Sequence, residues 1–261
     1  MQYKDQLNRT LEFETTPKRI VCLVPSLTEL IVDLGLESYV VGVTKFCVHP
    51  TFIRTNKTVV GGTKQVHFDK IRALNPDVIL CNKEENTKAM FAELEAIAPV
   101  HMSHICNFED AIEIITLYGA LFAVENKADT IIEGIQNKYV AFCEFIADKR
   151  KFRAVYFIWK NPWMVAANET FINSMLVLNN FENSFAHLKR YPEIELETIT
   201  DTTDIIMLSS EPYPFKEQHI LALEQRYPSS KVIVVNGEYF SWYGSRLDKA
   251  FAYFKTLRQS L

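Results

Sequence analysis

Two good metal ligands stand two positions apart in the stretch VGVTKFCVHP, residues 41–50. A cysteine thiolate and a histidine imidazole on one loop can bind a transition metal, and His67, Cys81 or Glu84 could add a third ligand. Cys47 and His49 could also act as nucleophile and base. A third interpretation is an ordinary polar loop, with the thiol packed beneath it and the imidazole at its rim. Because the chain has no CxxC or HExxH motif to back a metal site, all three stay open here.

The motifs that most often mark catalysis or nucleotide binding are absent. No GxGxxG follows a strand, GxxxxGK[ST] and GxSxG do not occur, and the pair Gly61–Gly62 is typical of a turn. A net charge of −4 without a basic stripe argues against nucleic-acid binding. The five cysteines are odd in number and widely spread, which argues against a disulfide framework and favours a reducing compartment. No apolar run approaches the roughly 20 residues of a membrane helix, so an integral membrane protein is not expected.

Aromatic residues are concentrated in segments that follow apolar runs. All three tryptophans lie in FIWKNPWM and GEYFSWYGSRL. Flat side chains with charged residues among them suit a large, flat, partly charged ligand. The predicted ligand-binding residues are Lys45, Phe46, Lys64, Glu84, Glu85, Trp159, Trp163, Glu211, Tyr213, Phe215, Trp242, Tyr243 and Arg246.

Short runs rich in Val and Ile alternate with longer segments of helical period. This alternation predicts an α/β fold with mostly parallel strands, and the continuous hydrophobicity of the runs indicates burial on both faces. Ligands of such sheets bind outside the carboxyl ends of the strands, where the aromatic segments lie. The predicted strands are residues 19–24, 40–44, 78–81, 100–105, 154–159, 205–208 and 231–235.

The helices predicted in the first half begin with one after the first strand, where Ser26 and Glu29 form a capping box and Gly35 ends the helix. Others are expected at 68–74, 86–98, 107–123 and 126–150. The last would span roughly 35 Å. We interpret it as a rigid strut, so that the expected domains are an N-terminal lobe (1–106), a helical connector (107–150) and a C-terminal lobe (151–261). The alternative is an ordinary crossover helix within one sheet.

The order of several motifs resembles a known family. PKRIVCLVPSLTELIVDLGL is followed by VVGVT, VGGT, LNPDVIL and a long helix. This order resembles the periplasmic-type substrate-binding proteins of ABC importers for cobalamin and iron complexes. KFCVHP, NKEEN, SSEPYPF and FSWYGSRL are similar to its helical-backbone metal receptor subgroup. The resemblance covers about residues 17–257. It implies the class III periplasmic-binding-protein fold: two Rossmann-like lobes with mostly parallel sheets, one long backbone helix and a cleft between the lobes.

The resemblance also implies a function without catalysis. The chain would be a solute-binding protein that captures a metal chelate, such as a ferric siderophore, haem or a cobalamin-like ligand, for an ABC importer. It would need no cofactor of its own, act as a monomer, and dock an ABC permease through Asp69 and Glu197, with Glu195 beside the latter. Where cobalamin binders of the family place tryptophans, this chain has Thr63 and Asn82, which complete the predicted ligand-binding set. Because of this departure, a different metal chelate is as good a candidate ligand as cobalamin.

The expected location depends on the N-terminus. Proteins of this family are periplasmic or membrane-associated. The segment MQYKDQLNRTLEFETTPKR is polar and has no signal-peptide pattern, so the protein would be cytoplasmic if Met1 is the true start. The alternative function is a cytoplasmic metal-handling protein or enzyme on the same fold, using Cys47, His49 and Glu84.

Overall fold

The computed structural model describes all 261 residues, and the chain divides into two compact units. The first unit comprises Met1–Ile105, Glu109–Gln136 and Trp242–Asp248, and the second comprises Cys106–Phe108, Asn137–Ser241 and Lys249–Leu261. Residues 242–248 therefore belong with the first unit, although the sequence analysis placed them in the C-terminal lobe. Residues 107–150, expected as a separate connector, are shared between the units.

The first unit is built on a parallel sheet. An antiparallel hairpin, β1 (Gln2–Lys4) and β2 (Thr10–Glu12), precedes it. The sheet has the strand order β5-β4-β3-β6-β7, and every neighbouring pair is parallel. Its strands are β3 (Ile20–Cys22), β4 (Val40–Val43), β5 (Thr58–Val59), β6 (Val78–Asn82) and β7 (Val100–Ser103). Both central strands, β3 and β6, are buried along their whole length, as their continuous hydrophobicity predicted.

The helices of the first half follow the predicted pattern with a few differences. They are α1 (Pro25–Asp33), α2 (Ile53–Asn56), α3 (Phe68–Ala73), α4 (Lys88–Glu95), α5 (Phe108–Leu121) and α6 (Glu125–Ile146). Helix α2 was not predicted, and α4 and α6 end three and four residues before their predicted ends. The capping box at Ser26 is wrong: α1 begins at Pro25, Val24 is its N-cap, and no side chain caps it. Proline suits the first helical position because it has no N–H to satisfy there. Gly35 ends α1 as predicted, with a φ of 83° that disfavours other residues.

The long helix is confirmed as one continuous element. α6 has 22 residues, which corresponds to about 33 Å. The division between the two units falls inside it, between Gln136 and Asn137. Buried Ile135 and Phe142 lie on either side of that division, so the two halves of the helix pack in different units.

The second unit has its own sheet in the order β10-β8-β11-β12, with parallel neighbours and one short antiparallel strand beside β8. The strands are β8 (Phe152–Trp159), β9 (Met164–Val165), β10 (Phe181–Asn183), β11 (Ile205–Ser209) and β12 (Lys231–Val235). Its helices are α7 (Phe171–Leu178), α8 (Glu217–Arg226), α9 (Gly237–Ser241) and α10 (Leu247–Gln259). All seven predicted strands are confirmed within two residues at each end. Strands β1, β2, β5, β9 and β10 were not predicted, because two or three residues carry no periodicity.

One histidine of the first unit is buried without a charge partner. His101, on β7, is 1% exposed, and its ring packs edge-on against Tyr118 of α5 at 5.1 Å. Burial lowers the pKa of His101 to about 4, an effect that nearby Asp5 opposes and Arg9 reinforces. The imidazole is therefore neutral in the folded protein at neutral pH.

This burial predicts a defined acid sensitivity. In the unfolded chain the imidazole takes up a proton below its usual pKa of 6.5, whereas the folded chain resists protonation down to about 4. The contribution of the neutral, buried imidazole to the unfolding free energy is thus fully present above pH 6.5. It is lost as the pH decreases from 6.5 towards about 4. We expect His101 to cost about 2 kcal/mol of unfolding free energy between pH 7.5 and pH 5. Urea unfolding of His101→Met at both pH values should lack that loss.

The more exposed His187 provides the control for this measurement. His187→Met should keep the pH dependence of the parent protein. An unchanged pH dependence in His101→Met would contradict the assignment.

Candidate functional site

The second sheet changes the direction of its strand order between β8 and β11. Because β10 and β12 lie on opposite sides of this pair, the loops that leave β8 and β11 diverge at their carboxyl ends. Such a switch point is where open α/β sheets bind ligands. The two loops are FIWKNPWM and SSEPYPF, and each contains a cis peptide bond, at Asn161–Pro162 and at Glu211–Pro212.

Four predicted ligand-binding aromatics form one cluster at this switch point. The rings of Trp159 and Tyr213 meet edge to face at 5.3 Å, and Tyr213 contacts Phe215 at 4.7 Å. Phe215 stacks on Trp163 with centroids 6.1 Å apart and planes inclined by 14°. Trp159 is 38% exposed, so part of this aromatic surface is open to solvent. The cluster therefore offers flat, polarisable ring faces in two orientations. Trp163 and Phe215 are nearly parallel, whereas Trp159 and Tyr213 are nearly perpendicular.

A fifth ring in the cluster was missed from the sequence. His219, in the first turn of α8, lies 5.8 Å from Tyr213 and 5.7 Å from Phe215. Its Nδ1 accepts the backbone N–H of Lys216 at 2.9 Å, which closes the start of the helix. Burial and the nearby ammonium groups of Lys160 and Lys216 lower its pKa. No helix start was predicted here because the segment PFKEQHI is polar and offers no apolar period.

Glu211 occupies a constrained position beside the cluster. Its Oε1 accepts the hydroxyl of Ser241 at 3.1 Å. A Cβ at Gly237 would lie 2.3 Å from Ser209 Oγ and 2.8 Å from Glu211 Cγ, so only glycine allows this close approach. Glu211 was predicted to bind the ligand, and in the structure its side chain also packs against Gly237 and accepts from Ser241.

The first unit presents a charged and aromatic rim at the carboxyl end of β4. Phe46 is 49% exposed, and the ammonium of Lys45 lies 5.1 Å from its ring centroid. Both side chains lie close to Gly62, where a Cβ would be 3.2 Å from the Phe46 ring. Lys45 also donates its backbone N–H to Gly61 at 2.8 Å. These predicted residues are thus grouped, exposed and held by backbone contacts.

The loop that follows β6 is shaped by two buried asparagines. Asn82 Oδ1 accepts the N–H groups of Glu84 and Glu85 at 2.8 Å and 3.2 Å. Asn86 Oδ1 accepts the Asn82 N–H at 2.8 Å, and its amide donates to the carbonyl of Thr63 at 2.9 Å. Asn82 is 1% exposed, so its polar atoms serve the turn.

Lys64 and Glu84 of the predicted set meet at this loop through the backbone. The ammonium of Lys64 donates to the Glu84 carbonyl at 2.6 Å. The exposed lysine thus places its positive charge beside the loop that follows β6. The hydrogen bond is to the backbone carbonyl, so the Glu84 carboxylate takes no part in it.

Three further predicted residues fill the switch point of the first sheet. Strand order in this sheet reverses between β3 and β6, and the segment Trp242–Asp248 packs there. Arg246 donates to both carboxylate oxygens of Glu29 on α1, at 2.7 Å and 3.0 Å. The Tyr243 hydroxyl donates to Glu85 Oε1 at 3.2 Å.

Trp242 completes the filling of this switch point. Its ring lies 4.8 Å from the Arg246 guanidinium carbon and 5.4 Å from the His49 ring. Trp242, Tyr243 and Arg246 are between 4% and 7% exposed. The structure therefore shows them filling the first unit, where the sequence placed them at an exposed ligand-facing edge.

The metal interpretation of Cys47 and His49 finds no third ligand. The thiol of Cys47 is fully buried and lies 3.2 Å from Thr28 Oγ1 and 3.3 Å from Thr44 Oγ1. Burial raises its pKa, which opposes the thiolate that a metal or a nucleophilic reaction needs. Burial likewise raises the pKa of Cys81 to about 12. No group of three His, Cys, Asp or Glu side chains is placed to hold a metal ion.

The two predicted docking acids are exposed, and each pairs with an arginine of its own unit. Asp69, in the first turn of α3, accepts from Arg72 at 2.8 Å, and its side chain is 99% exposed. Glu197, in the short 3-10 helix Leu196–Thr198, accepts from Arg226 at 2.5 Å and is 70% exposed. Local backbone hydrogen bonding and then Arg226 lower the pKa of Glu197, which keeps its charge at neutral pH.

Two α/β units with parallel sheets and one long helix shared between them define a class III periplasmic-binding-protein fold. The family model described as "Periplasmic binding protein" matches residues 20–225, and the chain belongs to that family. None of its helices combines the length and apolar character that a membrane span requires.

Two relatives and two solved structures show the extent of the similarity. An uncharacterized ABC transporter substrate-binding lipoprotein, YvrC of Bacillus subtilis, is 26% identical over 75% of this chain and 64% of its own length. A cobalamin-binding protein of Halobacterium salinarum is 23% identical over 75% of this chain and 54% of its own. The chain thus matches less than two thirds of the length of either relative.

The solved structures share the fold at low identity. The periplasmic vitamin B12 binding protein BtuF of Vibrio cholerae superposes with a TM-score of 0.79, at 18% identity, over 94% of this chain and 99% of its own. A periplasmic heme binding protein of Pseudomonas aeruginosa gives a TM-score of 0.80, at 20% identity, over 92% of each chain.

The buried pair Glu29–Arg246 leads to a stability prediction. Replacing Arg246 by leucine leaves the carboxylate of Glu29 buried without its cation, since both side chains are less than 8% exposed. We expect Arg246→Leu to lose about 3–5 kcal/mol of unfolding free energy in urea titrations followed by circular dichroism. The double variant Glu29→Leu/Arg246→Leu should recover most of that loss.

The exposed pair Asp69–Arg72 is the matched control. Arg72→Leu should change the unfolding free energy by less than about 1 kcal/mol. A double variant no more stable than Arg246→Leu alone would refute the idea that the unpaired carboxylate causes the loss.

Proposed function

We propose that this chain is the solute-binding component of an ABC importer and that its ligand is a metal chelate with flat or aromatic parts. The observation that carries the proposal is the aromatic cluster of Trp159, Trp163, Tyr213 and Phe215 at the switch point of the second sheet, in a chain of the periplasmic binding protein family. The substrate-binding lipoprotein and the cobalamin-binding protein among its relatives support it. The candidate ligands are haem, cobalamin-like corrins and ferric siderophores.

The chemistry of the exposed groups fits that ligand class. A tetrapyrrole or an aromatic siderophore presents a large flat surface, which rings such as Trp159 and Tyr213 can contact edge-on or face-on. In the first unit, Phe46 offers a further exposed ring, and Lys45 and Lys64 offer ammonium groups for carboxylates on the ligand. The metal arrives within the ligand, so the protein itself needs neither a cofactor nor protein ligands to the metal.

A cytoplasmic metal-handling protein or enzyme is the less favoured alternative. It required Cys47, His49 and Glu84 to act together. Cys47 is buried with a raised pKa, the His49 ring contacts Trp242, and the backbone of Glu84 forms part of the turn after β6. Binding without catalysis therefore has the stronger support.

The proposed partner is an ABC permease, and the proposed location is outside the cytoplasmic membrane. Asp69 and Glu197 are exposed acids, one in each unit, and each already meets an arginine of its own chain. Arginines of a permease could exchange with Arg72 and Arg226 in those pairs. We propose that the protein docks as a monomer, with these rim charges setting orientation and association rate.

The ligand proposal predicts a selective effect of single aromatic substitutions. Trp159→Ala should weaken binding of the chelate by about tenfold or more, since exposed tryptophans at binding surfaces carry much of the affinity. Haem, cobalamin and a ferric hydroxamate should each be titrated by absorbance and tryptophan fluorescence. At least one of them should bind the parent chain.

Phe46→Ala should also weaken binding, whereas Phe52→Ala is the matched control. Phe52 is 42% exposed, in the same unit as Phe46, and lies outside the predicted set. Equal affinities for the parent chain, Trp159→Ala and Phe46→Ala would count against this binding surface. If the parent chain binds none of the three chelates, the ligand proposal is contradicted.

The docking proposal predicts an effect of charge reversal that leaves ligand affinity intact. Asp69→Lys and Glu197→Lys should each weaken binding to the permease complex of the native host by about tenfold, with a smaller salt dependence. Surface plasmon resonance on the transporter in nanodiscs measures both quantities. Glu224→Lys, an exposed acid on α8, should have little effect. Equal losses for all three variants would point to a general charge effect and against specific docking acids.

A further inference from the structure

A groove lies beside α8 in the second unit, next to the segments that contain Lys160 and Leu196. Its volume is about 430 Å³, within the range of roughly 300–1,000 Å³ found for small-molecule sites. Leu196 and Leu223 give it apolar surface, Trp163 and His219 contribute rings, and Lys160 and Arg226 contribute cations. Of these residues only Trp163 belongs to the predicted ligand-binding set.

The two cations of the groove differ in how far their charge is compensated. Arg226 pairs with Glu197 at 2.5 Å and donates its Nε–H to the Tyr227 hydroxyl at 3.2 Å. The ammonium of Lys160 makes no hydrogen bond or ion pair and lies 5.4 Å from the ring centroid of Trp163. The groove therefore retains one uncompensated positive charge, next to an indole ring.

The histidine of the groove contributes a ring without adding charge, because burial and nearby lysines lower its pKa. Because Nδ1 of His219 accepts the Lys216 N–H, the neutral ring carries its proton on Nε2. His219 is only 5% exposed, and its Nε2 lies 3.4 Å from the side-chain amide of Gln218. A neutral imidazole and a single uncompensated ammonium favour a ligand group with one negative charge.

From this combination we propose that the groove is a second binding site, for a small planar aromatic monocarboxylate. Its carboxylate pairs with Lys160, whose flexible stem allows the ammonium to follow it, and its ring packs against Trp163, Leu196 and Leu223. A single uncompensated charge in the groove selects against neutral aromatics and against polyanions. The groove shares Trp163 with the proposed chelate-binding cluster, but the argument for it rests on Lys160 and the groove lining and does not depend on the identity of the chelate.

The test uses 2-naphthoate as the probe and the neutral 2-naphthamide as its matched analogue, both titrated by calorimetry into the full chain. We expect 2-naphthoate to bind with a stoichiometry of one. Lys160→Gln should weaken its binding by about tenfold or more, because a charge-assisted hydrogen bond is lost. Binding of 2-naphthamide should be weaker and insensitive to the same substitution.

Two further variants separate this site from other cationic or aromatic surfaces. Lys255→Gln is the matched control, because Lys255 also lies over an aromatic ring of the second unit, 5.3 Å from Phe145, but outside the groove. Ala222→Phe, at an exposed groove position on α8, should block 2-naphthoate binding by filling the space. The proposal is overturned if 2-naphthoate does not bind, or if Lys160→Gln or Ala222→Phe binds it as tightly as the parent chain.

Discussion

The buried ion pair between Glu29 and Arg246 is the constraint on which the arrangement of the first unit depends. Removing both charges from water is costly, and the cost is offset only because the guanidinium donates to both carboxylate oxygens. Once made, the pair fixes the segment Trp242–Asp248 against α1. Gly244, at a φ of 87°, lets the backbone approach Leu30, where a Cβ would already lie 3.3 Å away.

Because of this ion pair, the two units differ at the switch points of their sheets, although the sheets themselves are similar. In the first unit the switch point between β3 and β6 is filled by the anchored segment, so the exposed polar and aromatic groups lie at the rim, around Lys45 and Phe46. In the second unit the equivalent point between β8 and β11 carries the aromatic cluster with Trp159 partly exposed. One fold thus supports a packing role at one switch point and a surface suited to binding at the other.

Local patterns predicted most of the fold and part of the site. Continuous apolar runs placed the seven strands correctly, since burial on both faces leaves a clear signal in sequence. The clustering of Trp159, Trp163, Tyr213 and Phe215 followed from the rule that ligands of such sheets bind outside the carboxyl ends of the strands, where both loops begin. The burial of Arg246 could not be foreseen, because its partner lies 217 positions earlier in the chain. The turn role of Asn82 was hidden for a similar reason, since an amide that shapes a loop resembles one that binds a ligand.

The central claim is that the chain carries a metal chelate, and native mass spectrometry of protein purified from its own host tests it most directly. Gentle ionisation keeps noncovalent complexes intact, and a second spectrum under denaturing conditions releases the ligand for identification. The account predicts a one-to-one adduct whose released mass and isotope pattern contain iron or cobalt. A native adduct without metal, or a ligand-free protein that acquires none of haem, cobalamin and ferric hydroxamate on incubation, would contradict it.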